Sequence, residues 1–150
     1  MTFRSAFSKK SKIIFSVVAL IIIASTLPVF FDTNMTGNWQ AKLIVLTINI
    51  LSLVLICWII TKTFYEIKGD SLLICKSGPF KKKIQIKNIK RIEFHNGLII
   101  PSLWKLSLSD EGIIIHYNQF DEIYISPKNK EKFLTQILKI NPNILLPINA

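Results

Sequence analysis

The stretch EIYISPKNKEKFLTQILKINP, residues 122–142, changes its hydrophobic period halfway along. Ile123 and Ile125 are two residues apart, as on one face of a strand. Phe133, Leu134, Ile137, Leu138 and Ile140 recur at helical spacing. Between them Ser126 offers an N-cap with Pro127 at the first helical position, and Asn141-Pro142 ends the run. A strand that feeds one closing amphipathic helix predicts an α+β domain. The helix plugs a bent antiparallel sheet that cannot bury its inner face alone.

Upstream of this stretch the pattern is β. Phe64–Ile67 leads to the turn signal Gly69-Asp70, Leu72–Cys75 leads to Ser77-Gly78-Pro79, and Lys83–Lys87 and Ile89–Phe94 alternate apolar with polar. Leu106–Ser109 alternates again, Asp110-Glu111-Gly112 turns into Ile113–Tyr117, and Asn118–Asp121 turns into Glu122–Ile125. About seven strands and one helix are expected over residues 62–150.

Still further upstream the chain changes character. Residues 13–31 carry no charge, and residues 43–61 are interrupted only by a few small polar groups. At about 1.5 Å per residue each run is close to the roughly 30 Å of a bilayer core. A domain this small has no interior able to enclose two helices that are apolar all round, so two membrane spans are expected. The first run exceeds a signal-peptide core of about 7–15 residues and ends in Leu27-Pro28-Val29 without a small-residue cleavage site, so it is read as retained. Arg4, Lys9, Lys10 and Lys12 precede it and Lys62 and Lys68 follow the second span, whereas the connector has one acid and one base. By the positive-inside rule the chain divides into a basic cytoplasmic tail (1–12), span one (13–31), an extracytoplasmic loop (32–42), span two (43–61) and a cytoplasmic domain (62–150). The expected location is a cell membrane with both termini cytoplasmic. Asn49, in mid-span, is read as packing the hairpin together.

The residues Tyr65, Gly69-Asp70, Leu72, Ile74, Gly78, Ile84, Ile86, Ile89 and Ile92 resemble the bacterial PH-domain family. The resemblance continues through Ser107–Asp110, Ile113, Ile115, Tyr117, Ile123–Lys128, Phe133, Leu138 and Asn141-Pro142, and covers about residues 62–145. Its most specific part is Ile125-Ser126-Pro127-Lys128 followed by a Phe-containing helix that ends in Asn-Pro. The resemblance implies a PH-like fold, often tethered to the membrane by a helical hairpin. Members often carry Arg after the Asp of Ser-x-Ser-Asp; Glu111 stands there in this chain, so no role for that Arg carries over.

Chemistry is sparse. His95 and His116 are the only histidines, and no Ser-His-acid set, phosphate-binding Gly loop or zinc-ligand spacing is present. No enzyme, cofactor or metal is expected. Two cysteines, Cys57 and Cys75, are too few for a disulfide scaffold. The formal charge of +10 comes without a nucleic-acid motif or interleaved aromatics, so nucleic acid is not expected as a partner. The candidate contacts to a partner or to lipid are Lys81, Lys82, Lys83, Lys87, Lys90 and Arg91, with Leu98 and Trp104 in an apolar, Pro-interrupted loop. The lysines read equally well as a patch toward anionic inner-leaflet lipid or as charges that blunt a sheet edge. The loop reads as a cover over one end of the core, or as an exposed anchor.

Layout and resemblance together give the expected function: a membrane-anchored immunity protein that binds or masks at the membrane to protect its producer from a secreted bacteriocin. The partner would be the bacteriocin peptide or its membrane target. The alternative is a non-catalytic membrane-docked adaptor for a membrane protein or anionic lipid.

Overall fold

A computed structural model describes residues 1–31, 39–69, 71–97, 99 and 102–147 of the chain. The chain order is β1 (Thr2–Arg4), α1 (Lys9–Ala24), α2 (Leu27–Phe31), α3 (Trp39–Thr61), β2 (Thr63–Lys68), β3 (Leu72–Ser77), β4 (Phe80–Gln85), β5 (Ile89–Asn96), β6 (Glu111–Tyr117), β7 (Asp121–Ile125) and α4 (Lys130–Ile140). Strands β1-β2-β3-β4 form one antiparallel sheet and β5-β6-β7 another.

The strand count of seven holds, but its membership does not. The charge run reads residues 1–12 as a tail, yet Thr2–Arg4 pair with Glu66–Phe64 as the first strand of the larger sheet. Phe3 alternates inward between two exposed neighbours and packs edge-on against Phe133 of α4, with ring centroids 5.2 Å apart. Leu106–Ser109, expected as a strand, forms only isolated bridges: Lys105 lies beside Tyr124 and Leu108 beside Phe7. Its backbone is held partly by side chains, including the Ser5 hydroxyl on the Leu108 N–H at 3.1 Å, so no continuous ladder forms.

Consecutive strands of a meander are normally joined by a few residues. Here the connection from β1 to β2 contains both long apolar helical segments. The apolar helical hairpin is therefore inserted into the first β-hairpin of the sheet.

The two candidate spans run from Lys9 to Phe31 and from Trp39 to Thr61, each 23 residues long and apolar enough to cross a membrane. The first is broken at Ser25 and Thr26, whose hydroxyls bond the carbonyls of Ile22 and Ile23, just before Pro28. That break agrees with a proline near the outer end, which removes a helical donor. Asn49 donates to the Ser25 hydroxyl at 3.1 Å, so it joins the two helices as hairpin packing requires. Residues 32–38 of the expected loop lie outside the described residues.

Helix α4 starts later than Ser126-Pro127 predicts. Asn129 is the N-cap and accepts from the Lys132 N–H at 3.0 Å. Ser126 is instead fully buried, and its own N–H donates to the Tyr65 hydroxyl at 3.1 Å. Phe133, Leu134 and Ile137 face the core as the spacing predicts. Asn141 closes the far end: its amide donates to the carbonyls of Ile86 and Ile89 at 3.0 and 3.1 Å, fixing the helix to the β4–β5 corner.

Candidate membrane-proximal binding surface

The end of α3 runs directly into β2, and the β3–β4 turn folds back onto it. Thr63 donates to the Ile59 carbonyl at 2.6 Å and shares a hydrogen bond with the Ser77 hydroxyl at 2.9 Å. Gly78 then bonds the Lys62 carbonyl through its N–H at 3.3 Å. Its backbone has φ +54°, and a Cβ there would stand 2.9 Å from Ile59 Cγ1. Glycine is needed for both reasons. The consequence is that Phe80 and Lys81, at the start of β4, begin level with the end of α3.

A second contact ties the domain to the start of α1. Ser8 caps that helix and accepts from the Ser11 N–H at 3.1 Å. Lys10 in its first turn reaches the buried Asp110 carboxylate at 3.2 Å. The Ser8 hydroxyl chiefly, with Lys10 beside it, holds the Asp110 carboxyl below the usual carboxylate range against the opposing effect of burial.

Behind this contact lies a network of hydroxyls. Tyr65 donates to the Leu106 carbonyl at 2.7 Å, and its oxygen lies 3.2 Å from Ser5. Ser126 meets Ser5 at 2.9 Å and accepts from Ser107 at 2.7 Å. Burial pushes the Tyr65 hydroxyl up to about 12, so it stays a neutral donor throughout the physiological range. None of this carries a nucleophile–base pair; it welds β1, β2, β7 and the 106–109 segment together.

The basic run does not form one patch. Lys81 and Lys83 project from edge strand β4 into solvent, while Lys82 turns to the other face and places its ammonium 5.0 Å over the Trp104 ring. Lys82 and Trp104, far apart in sequence, are thus brought together. Lys87, Lys90 and Arg91 lie past the β4–β5 corner, at the end of the sheet away from α3. Arg91 is there paired with Glu93 at 2.7 Å. Sequence adjacency had joined the two groups because the corner is only three residues long.

The apolar loop also differs from a core cover. Ile99 is 90% exposed, Leu103 98% and Trp104 42%. Leu98 lies outside the described residues. At its far end the segment runs along the β7 edge of the second sheet, where the Tyr124 N–H donates to the Trp104 carbonyl at 2.8 Å. Tyr124 is fully buried there, and His95 packs edge-on against it at 5.8 Å.

The residues that sequence reasoning missed are Phe3, Ser8, Lys10 and Asp110. The exposed–buried–exposed order of Thr2-Phe3-Arg4 was the available signal for a strand, short and masked by the positive charges around it. His95 and Glu93, neighbours on paper, have different partners: His95 bonds the Ile99 carbonyl at 2.9 Å, and Glu93 lies 3.5 Å from His116. Among the described residues no group of His, Cys, Asp and Glu is arranged to hold a metal ion. A cleft of about 470 Å³ between β1 and α4 is lined by Arg4, Lys128 and Lys132 and by no carboxylate.

The family model described as Bacterial PH domain matches residues 63–141, from β2 to the cap of α4. The chain belongs to the bacterial PH domain family. In this bacterial PH domain the matched segment omits β1, so the strand that carries Phe3 is contributed from outside it. No curated protein and no solved structure matches the chain. PH domains are in general non-catalytic folds, and this one stands behind two helices long and apolar enough to span a membrane.

Proposed function

We propose that the chain is a membrane-anchored immunity protein that protects its producer from a secreted bacteriocin of the glycosylated, sublancin-like type. It acts by binding the peptide or masking its target at the cytoplasmic face, without turnover. In size and layout the chain resembles the immunity protein for that bacteriocin. The observation that carries the reading is the insertion of the helical hairpin between β1 and β2. Both ends of the hairpin meet one sheet, which supports placing tail and domain on the same side of the membrane. The excess of lysine and arginine at those ends supports the cytoplasmic side.

A second reading, an adaptor for anionic inner-leaflet lipid or a membrane protein, is favoured by the lysines around the feet of the helices: Lys9, Lys12, Lys62 and Lys81. Each such cation is worth roughly 1 kcal/mol near an anionic surface.

Survival separates the two. The full chain is expressed in a sensitive bacterium and challenged with a sublancin-type glycopeptide, beside a soluble version in which residues 8–61 are replaced by a short turn joining β1 to β2. Protection by the full chain alone is the expected result. No protection, with membrane expression verified, sinks the immunity reading for that class of peptide and leaves the adaptor.

A further inference from the structure

We propose that Phe80, Lys82, Leu103 and Trp104 form a lipid-docking face that sits in the headgroup layer of the bilayer crossed by α1 and α3. The inference rests on reading those helices as spans. Phe80 pairs with Ser77, and Ser77 is bonded through its hydroxyl to Thr63, two residues beyond the end of α3. Phe80 is therefore level with the point where the chain leaves the membrane, and it is 52% exposed. Lys82 is two residues further along β4 and on the same face, about 7 Å from Phe80 by strand rise. The headgroup region adds about 5–8 Å to each side of the hydrocarbon core, so Lys82 and the ring beneath it reach its outer limit.

The other end of the apolar loop is held at the same level. The Gly97 N–H donates to the Asp110 carbonyl at 3.0 Å, and Asp110 grips Lys10 in the first turn of α1. Leu103 and Ile99 thus lie on a segment whose two ends are both fixed near the feet of the membrane helices, and both side chains are almost wholly exposed.

The chemistry fits an interface rather than water. Indole rings favour the headgroup level of the membrane–water interface. A lysine laid over such a ring keeps its stem on apolar surface and its ammonium free for phosphates. Nearly complete exposure of Leu103 to water is unfavourable, and insertion among headgroups reduces it. Continuity with the spans selects the bilayer as the occupant over a peptide. On this arrangement the domain lies against the membrane on its β4 side, and the β6–β7 turn with Phe120 points away.

Depth measurements test this on the full chain in phosphatidylcholine–phosphatidylglycerol vesicles. In a Cys57→Ala background, Leu103→Cys and Phe120→Cys are each labelled with an environment-sensitive fluorophore. Cys75 is fully buried and is spared under native labelling. The wild-type Cys57, on α3, is labelled as the reference for a spanning helix. The expected result is a blue-shifted probe at 103 that is quenched by headgroup-depth nitroxide lipid, and a probe at 120 that is neither. A probe at 103 that behaves like the one at 120, while the Cys57 probe is quenched by acyl-chain nitroxide, overturns the docking face and leaves the spans intact. Loss of quenching at Cys57 as well overturns the spanning reading and the docking face with it.

Discussion

Phe3→Ala measures how far the domain depends on a strand that precedes the two apolar helices. Phe3 is 6% exposed, faces Phe133 edge-on and belongs to the same core as Tyr65. Truncating a buried phenylalanine costs about 3–5 kcal/mol, and the lower end applies on an edge strand that relaxes easily. A loss of about 3 kcal/mol is more than a hundredfold in the folded-to-unfolded ratio. It is also a large fraction of the roughly 5–15 kcal/mol that holds a domain together. The assay is denaturant unfolding of the full chain in detergent micelles, with amide exchange to locate the change. Amides of β2, which pair with β1 on one side, are expected to lose protection first. Phe80→Ala, at an exposed site, serves as the control and is expected to cost within about 0.5 kcal/mol. If Phe3→Ala unfolds at the wild-type midpoint with β2 still protected, β1 is a decoration and the domain is complete from residue 63 onward.

Three further outcomes follow from the same contacts. Asp110 ionises below its ordinary value in the folded state, so its charge stabilises the domain at neutral pH and that contribution is lost as pH falls below about 4. Asp110→Asn should lower the melting temperature at pH 7, and its difference from wild type should narrow progressively as pH falls below about 4, as thermal scans across pH would record. Tyr65→Phe removes a donor to Leu106 and leaves the buried Ser126 N–H without an acceptor, at a cost of about 1–3 kcal/mol by denaturant unfolding. Asn49→Val breaks the only side-chain bond described between α1 and α3 and should cost about 0.6 kcal/mol, read by unfolding in detergent, with the sheet unaffected in amide exchange.

Most of the architecture was legible because each element announces itself through one dominant period. The two apolar runs stand out by their length, and the alternation in β2 and the helical repeat of α4 each bury the face that the pattern names. What stayed hidden depends on contacts between distant residues. Three residues of β1 are too few to establish a period, and only Phe133 and Tyr65 across the core reveal that Phe3 points inward. Ser126-Pro127 reads locally as a helix start, yet the Ser126 hydroxyl that would cap it is engaged by Ser5 and Ser107 and its N–H by Tyr65, and the helix begins at the Asn129 cap. The candidate surface was half legible. Lys82 and Trp104 were both named from the chain, but their stacking across the sheet edge was not. The basic run looked continuous because nothing in a one-dimensional string marks that a sheet turns its corner between Gln85 and Ile89.

With its two helices read as membrane spans, the hairpin inserted between β1 and β2 has a consequence for biogenesis. The first strand leaves the ribosome before either helix and has no partner until both have been made and β2 follows. The sheet can then close only if the two strands meet in the same compartment. A chain that threads only one of the two helices keeps β1 and β2 on opposite sides, with Phe133 and Tyr65 uncovered where Phe3 belongs. Folding of the domain thus acts as a check on membrane topology, and molecules that fail it present an open sheet edge to the proteases that patrol the membrane.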